Sequence, residues 1–425
     1  MYLPQEIPGL LFWSSLTRGF SLRAEGPRPA VLALRTLLSC GALLVLAFAA
    51  SWVALLAWAD HLSRSDSLAD REHAVRLAPA VPSLYERLAD QHEAQGADPL
   101  PDLERAASLD PANAGLHMRL GLRAELAGDF PLAEQNLLAA ANLSRLYQPR
   151  YLLSQYYFRR QNADSFWRWT RAALDTAYGD ASPLLELCWR LRPDGAWLEQ
   201  HVLPRRPEIA RQYLAFLVRR GQAGDARNLA ERIAGSARAE DLPALLAYGD
   251  SRLVAGDGDA PTAVWNLLCR RGLLPDRPLD PARGLSLTNG DLRHAPTGIG
   301  FDWRFGSPSG IAVSPSTGEL RLQFSGRQPE ACSIGWQLVP LVRGARYRLG
   351  FQRQALDAAS ADGLGWSIEE PAGTPVETGQ LPDGSLDFVS PAAVLRLILV
   401  YRRPPGEPRL EGAVAIRGVQ LEMER

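Results

Sequence analysis

Hydrophobic and polar positions change their spacing along this chain, and each spacing predicts a different element. From Thr36 to Ala59 the residues TLLSCGALLVLAFAASWVALLAWA contain no charge and no proline. That stretch predicts one transmembrane helix, since at about 1.5 Å per residue it spans roughly 36 Å and covers a hydrocarbon core of about 30 Å with some tilt. From Asp60 to about Leu274 apolar residues recur every three or four positions between short Gly-, Asp- or Pro-containing breaks, which predicts helices throughout. Around residues 275 to 288, PDRPLDPARGLSLT, proline density rises and the helical period stops, as at a domain boundary. Beyond it the period is two. GELRLQF alternates Leu320, Leu322 and Phe324; CSIGWQL alternates Cys332, Ile334, Trp336 and Leu338; ARYRLGF alternates Tyr347, Leu349 and Phe351. GLGWSI, VLRLILVY and AVAIRGVQLEM continue it, with turns at Ser316-Thr317-Gly318 and Pro382-Asp383-Gly384. About six to eight short strands of this kind predict an antiparallel β-sandwich. The expected organisation is multidomain: a cytoplasmic segment at 1–35, the transmembrane helix at 36–59, a helical region at 60–275, a linker at 276–286 and the sandwich at 287–425.

The helical region contains a repeat, clearest from Asn113 to Arg145. Leu120-Gly121 lies in its first helix, Gly128-Asp129-Phe130 forms the turn, and Ala133, Leu137, Ala140 and Leu143 follow in the second. The preceding unit supplies Leu88-Ala89, Gly96, Ala106, Leu109 and Pro111; a degenerate one follows with Leu153, Tyr157, Phe166, Trp167, Trp169 and Ala173. This order resembles the tetratricopeptide repeat, with His117 in place of the usual tryptophan and Arg145 in place of the terminal proline. The resemblance implies an α-solenoid of helical hairpins with a concave groove for peptides or partner proteins; a stalk that spaces the next domain from the membrane is the plainer alternative. Tyr151, Tyr156, Tyr157 and Phe158 are candidates to line such a groove, though aromatics at helical spacing more often pack between helices. The pairs Arg159-Arg160, Arg205-Arg206 and Arg219-Arg220 suit solvated faces.

Leu287-Thr288-Asn289-Gly290-Asp291-Leu292, followed by Trp303 and the GARYRL strand, resembles the start of carbohydrate-binding-module and galactose-binding-like sandwiches. The resemblance implies a jelly roll with a sugar held on one face. Leu292 and Arg293 stand where that family often has an aromatic and an acid, which tells against a calcium site near Asp291. Taken together, the chain resembles bacterial cell-envelope and exopolysaccharide-assembly proteins anchored in the inner membrane.

The flanks of the apolar stretch set its expected orientation. Arg18, Arg23, Arg28 and Arg35 precede it against Glu6 and Glu25, whereas Asp60, Asp66, Asp70 and Glu72 surround Arg64 and Arg71 after it. The N-terminus is therefore expected in the cytoplasm and the bulk of the chain in the periplasm. Ala57-Trp58-Ala59 also looks like a signal-peptidase site, but signal peptides have apolar stretches of about 7 to 15 residues, which favours an uncleaved anchor. Residues 9 to 22 suit either a short interfacial helix or a plain cytoplasmic tail.

Charge adds little: 46 basic against 47 acidic residues exert no broad pull toward nucleic acid. Every basic residue is arginine, which excludes a Schiff-base lysine and a phosphate-loop lysine. Cys40, Cys188, Cys269 and Cys332 are scattered and read as small apolar residues, with a Cys188 to Cys269 disulfide as the alternative. The six histidines never reach metal-ligand spacing, Gly298-Ile299-Gly300 lacks the third glycine of a dinucleotide loop, and Asp257-Gly258-Asp259 lacks the closing glutamate of a calcium loop. No enzyme, metal or cofactor is expected. Trp303, Trp336 and Trp366 are the aromatic candidates for a sugar platform, yet each is in phase with aliphatic neighbours and suits the core. Arg304, Arg321, Arg346, Arg348 and Arg396 alternate with core residues and are expected to share one sheet face able to grip anionic glycans. The expected ligand-binding set is Arg304, Arg321, Arg346, Arg348 and Trp303. The expected function is a non-enzymatic membrane-anchored scaffold with protein partners on the solenoid and a glycan on the sandwich; the alternatives are a pure protein-interaction adaptor and an enzyme whose site only the fold assembles.

Overall fold

The computed structural model describes residues 29–358, 362–380 and 385–424. Segment 9–22, the charges Glu6, Arg18, Arg23, Glu25 and Arg28, and the Pro382-Asp383-Gly384 turn lie outside the described residues. The described residues hold fourteen α-helices and ten β-strands, and the chain divides into two compact units, 1–123 and 124–425.

The first unit begins with α1 (Pro29–Ser63), whose stretch from Thr36 is long and apolar enough to cross a membrane. α1 does not stop at Ala59. It runs on to Ser63, and its last turns pack against α2 (Leu68–Leu77) and α3 (Pro82–Ala94), with Ala59, Ala74, Ala78 and Leu84 forming a small core that Leu55, Leu56 and Leu62 extend. Arg87 of α3 donates to Asp60 Oδ1 at 2.7 Å and also to Ser63 Oγ. Next come α4 (Leu100–Leu109) and α5 (Ala114–Ala127). Ala89, Leu103, Ala106, Ala107, Leu116 and Leu120 form a second core, in which alanines let the helices approach closely.

In the second unit, Gly128 follows α5 at φ +85°, the left-handed conformation expected of the repeat's turn. α6 (Phe130–Leu143), α7 (Tyr147–Arg159), α8 (Ala163–Thr176), α9 (Ser182–Leu191), α10 (Gly195–His201), α11 (Pro207–Arg219), α12 (Arg227–Gly235), α13 (Leu242–Val254) and α14 (Asp259–Arg270) follow. Asp129, Asn162 and Asp194 cap α6, α8 and α10 by accepting from Leu132, Ser165 and Trp197 N–H groups at 3.0, 3.1 and 2.9 Å. Ala133 and Ala140 of α6 are fully buried. Tyr156 and Tyr157 are each only 3% exposed; their hydroxyls donate to the Phe130 carbonyl and to Glu134, so they pack between helices.

The strands are β1 (Arg304–Phe305), β2 (Ile311–Ser316), β3 (Glu319–Ser325), β4 (Ala331–Pro340), β5 (Arg346–Ala355), β6 (Leu364–Glu369), β7 (Pro375–Gln380), β8 (Ser385–Val389), β9 (Val394–Arg402) and β10 (Glu411–Met423). They form two five-stranded sheets, ordered β1-β4-β9-β6-β7 and β2-β3-β10-β5-β8, with antiparallel pairing throughout. One core joins them: Leu322, Phe324, Tyr347 and Leu349 from the second sheet meet Ile334, Trp366, Leu397 and Tyr401 from the first. The turn at Thr317-Gly318 lies where the sequence puts it, with Gly318 at φ +89°.

Helices and sandwich meet within this unit. Asp250 of α13 accepts from the Gly300 N–H at 2.8 Å and from Arg304 at 2.6 Å. Trp265 of α14 packs edge-on against Phe301, 5.5 Å between ring centres, and lies so close to Gly300 that a Cβ there would sit 2.5 Å from the indole. Asn266 clamps the following segment through two hydrogen bonds to the Leu279 backbone, 2.6 and 2.7 Å long.

Candidate functional site

The five arginines of the expected single face are divided between the two sheets. Arg321, Arg346 and Arg348 belong to the second sheet, Arg304 and Arg396 to the first. In the second sheet the cations are largely matched by acids. Arg348 makes a bidentate pair with Asp387 at 2.7 and 2.9 Å and reaches Glu424 at 3.1 Å, while Arg346 lies 3.8 Å from Glu424. The hydrogen bond from Arg348 holds the Asp387 carboxyl below the usual carboxylate range, and Asp387 in turn raises the Arg348 guanidinium. Arg321 is exposed on β3, opposite Ala415 and Ser314. Trp303 is buried, 3% exposed, with its indole N–H donated to the Asn289 carbonyl at 3.1 Å; it is a core side chain.

Trp336 departs from its expected phase. Between Ser333 and Gly335 the pairing of β4 with β9 slips by one residue, so the extra residue Ile334 shifts the alternation that follows. From Gly335 onward Gln337 and Val339 turn to the core, and Trp336 turns outward beside its partners Arg304 and Ile398. The signal for this was present in the strand. Gly335 is a glycine inside a β pattern, and a Cβ there would fall 2.3 Å from the Phe305 ring. Around the half-buried indole the guanidinium carbons of Arg304 and Arg396 lie 4.4 and 5.6 Å from the ring centre. Asp250 balances the first arginine, and Glu369 the second at 2.5 Å. The arrangement presents one aromatic face edged by two planar cations and two acids, a surface that can stack on a ring and hydrogen-bond its substituents.

The Asn289-Gly290-Asp291 segment is built into the fold. Asn289 and Leu292 hold left-handed backbones, φ +46° and +49°. Gly290 lies against β10, its carbonyl accepting from the Val419 N–H at 3.0 Å, and a Cβ at Gly290 would fall 2.2 Å from the Val419 carbonyl oxygen. Fully buried Gln337 donates to the Thr288 and Phe301 carbonyls at 2.9 and 2.6 Å. Buried Asp302 accepts from Thr297 and from the Trp303 N–H. Asp291 itself pairs with Arg293. Beside this segment His294 Nε2 lies 3.2 Å from Asp276 Oδ1. Burial raises the Asp276 carboxyl above its usual range. The same burial lowers the His294 imidazole, but the Ala295 carbonyl and Asp276 outweigh it and leave the ring raised. Nothing in the residue pattern pointed to Asp276, because a single acid in a proline-rich linker carries no periodicity.

A third aromatic group lies on the helices. Trp167 of α8 meets Trp197 of α10 edge-on at 5.1 Å; Trp197 stacks on His201 at 4.7 Å and carries Arg192 at 4.1 Å. The four cysteines are free thiols, Cys188 being buried. Among the described residues no three His, Cys, Asp or Glu side chains gather as metal ligands.

No family model and no curated protein sequence matches the chain. Among the solved structures that resemble part of it are the crystal structure of accessory secretory protein 1,2 and 3 in Streptococcus pneumoniae and the Glycosylation Associate Protein (Gap123) complex from Streptococcus agalactiae. Identities are 16% and 14%, the TM-score is 0.23 for both, and each match covers 28% of this chain and 92% and 41% of the other. At that TM-score the likeness carries no inference about fold or function.

Proposed function

We propose that this chain is a non-enzymatic scaffold anchored by one helix in a bacterial inner membrane, N-terminus in the cytoplasm and bulk in the periplasm. Its helices from 60 to 275 form a tetratricopeptide-like solenoid that recruits protein partners, and its jelly-roll sandwich from 287 to 425 contacts a glycan or another envelope component. The observation that supports the reading is the continuity of α1: the apolar stretch runs without a break into turns packed on α2 and α3, which in this reading would hold the first helical hairpins at the membrane surface. A glycan role is supported by Trp336, edged by Arg304 and Arg396. The adaptor reading, in which the sandwich binds no sugar, is favoured by the acids that already occupy Arg346 and Arg348. The test is a glycan array probed with the full chain in lipid nanodiscs. Retention of a defined glycan set supports the scaffold with a sugar site; a blank array leaves the adaptor.

A further inference from the structure

We propose that the open face of α8 and α10 built around Trp167, Trp197, Arg168 and Arg171 docks an acidic, partly apolar segment of a partner protein. This rests on the reading of the helices as a partner-recruiting region, and gives that region a site and a partner chemistry. Between the two helices lies a hollow of about 450 Å³, within the size range of ligand sites. Its walls are Trp167, Arg168 and Arg171 of α8 and Trp197 and His201 of α10. Arg168, Arg171 and His201 are exposed and both tryptophans are half-buried, so these groups face solvent. Tyr156 and Tyr157, which the repeat resemblance would set in a groove, are instead buried between helices. From Asp164 to Arg171 the face runs about 10 Å along α8, the length of roughly three extended residues.

The charges select the partner. Arg171 donates to the His201 carbonyl at 3.2 Å and Arg168 lies 5.5 Å from the centre of the Trp169 ring, but neither meets a carboxylate among the described residues. By contrast Arg159, Arg220 and Arg232 of this unit each pair with a glutamate. Asp164 is the one acid in the lining, so the hollow keeps a positive balance. A guanidinium can take a carboxylate through two parallel hydrogen bonds. The tryptophans then supply apolar contact, and Trp and Arg are the residue types that dominate the energy of protein interfaces. Trp197 is held by His201, stacked at 4.7 Å, and by Arg192 at 4.1 Å, while Trp167 meets it edge-on at 5.1 Å. With two groups already against its ring, Trp197 is not an open platform for a sugar. Side chains ordered in this way lose little freedom when a partner binds.

The experiment is fluorescence anisotropy of the full chain in neutral-lipid nanodiscs with three short labelled peptides, each with leucine at every third position and glutamate, serine or lysine between. The glutamate peptide should bind, more weakly as salt rises, and the other two should not. Arg168→Glu together with Arg171→Glu should weaken it about tenfold or more. Both arginines are exposed, so the double variant should keep its circular dichroism. Trp167→Ala should weaken binding severalfold, and Arg327→Glu, an exposed position on the sandwich, should leave it unchanged. Equal binding of the serine peptide overturns the acidic chemistry. Glutamate-peptide binding that survives the double reversal overturns the site and keeps a partner elsewhere on the chain. Binding of phosphatidylglycerol vesicles or tetragalacturonate in place of the peptide, lost on the double reversal, assigns the arginines to another anion and overturns the proposal. Failure of the glutamate peptide to bind overturns it too, and photocrosslinking in cells then decides the wider reading. A protein adduct from a photoreactive residue at Tyr151 keeps the helices as a partner-binding region; no adduct from Tyr151 or Ser165 removes that reading as well.

Discussion

Arg304 on β1 is the register partner of Trp336 on β4, and its guanidinium carbon lies 4.4 Å from the centre of the indole. Arg396 approaches the same ring at 5.6 Å, so this tryptophan faces outward under two cations, whereas Trp366, 1% exposed, fills the core between the sheets. The two should respond differently to truncation. Trp366→Ala removes a large buried ring and is expected to cost about 3 to 5 kcal/mol. Trp336→Ala mainly removes two cation–π contacts, about 0.5 to 1 kcal/mol each at partly exposed sites. Chemical denaturation of the two variants checks the order; a Trp336→Ala loss as large as that of Trp366→Ala would invert the assigned phase.

That difference marks where the residue pattern stops being readable. Helical spacing to about residue 274 and the period of two beyond it were legible, because burying one face of a helix or strand imposes a rhythm on the side chains. Gly128 was legible too, since a left-handed turn between helices selects glycine. The bulge at Ile334 was not legible in the alternation, and only Gly335 hinted at it, because one inserted residue reverses the face of every later position. Nor was the division of the arginines between sheets, which depends on strand order: β3 and β4 are neighbours in sequence yet lie in different sheets. The Asn289-Gly290-Asp291 motif was recognisable, but its work in pinning the loop to β10 appears only once Val419 is beside it.

Gly290→Ala tests that work. A Cβ at this position would stand 2.2 Å from the Val419 carbonyl oxygen and 2.7 Å from the Leu287 side chain, and the Val419 backbone cannot yield without disturbing the Val419 to Gly290 hydrogen bond. Overpacking of this kind costs about 1 to 3 kcal/mol or more. Thermal melting of the variant should show a clear drop. An unchanged melting temperature would mean that the loop does not lie against β10 as described.

The His294 and Asp276 pair should make stability depend on pH. Both groups are raised in the folded protein, so both hold their protons more firmly folded than unfolded. For His294 the contribution is fully present below its ordinary value of 6.5 and is lost as pH rises through its folded value. Asp276 adds a similar loss at lower pH, starting from 3.8. Melting temperature is therefore expected to fall as pH rises from about 6 to 8, the usual range of a perturbed histidine, and His294→Gln should flatten that fall. An identical slope in wild type and variant would exclude His294 as its source.

The end of α1 bears on whether the N-terminal stretch is removed. Cleavage after Ala59 would strip fully buried Ala59, with Leu55 and Leu56, from the small core they build, and would open a new chain end at Asp60 in mid-helix. The four residues left of the helix, Asp60 to Ser63, would lose the turn before them, and with it the helical hydrogen bonds that place Asp60 and Ser63 on Arg87. An uncleaved anchor keeps all of these contacts. A peptide tag at the N-terminus should therefore stay on the mature membrane-bound protein, and intact mass should include residues 1 to 59. Reporter fusions at Ser21 and Ser65 should report opposite compartments. Loss of the tag with release of the rest from the membrane would identify the stretch as a signal peptide, and equal reporter signals at both positions would overturn the single crossing.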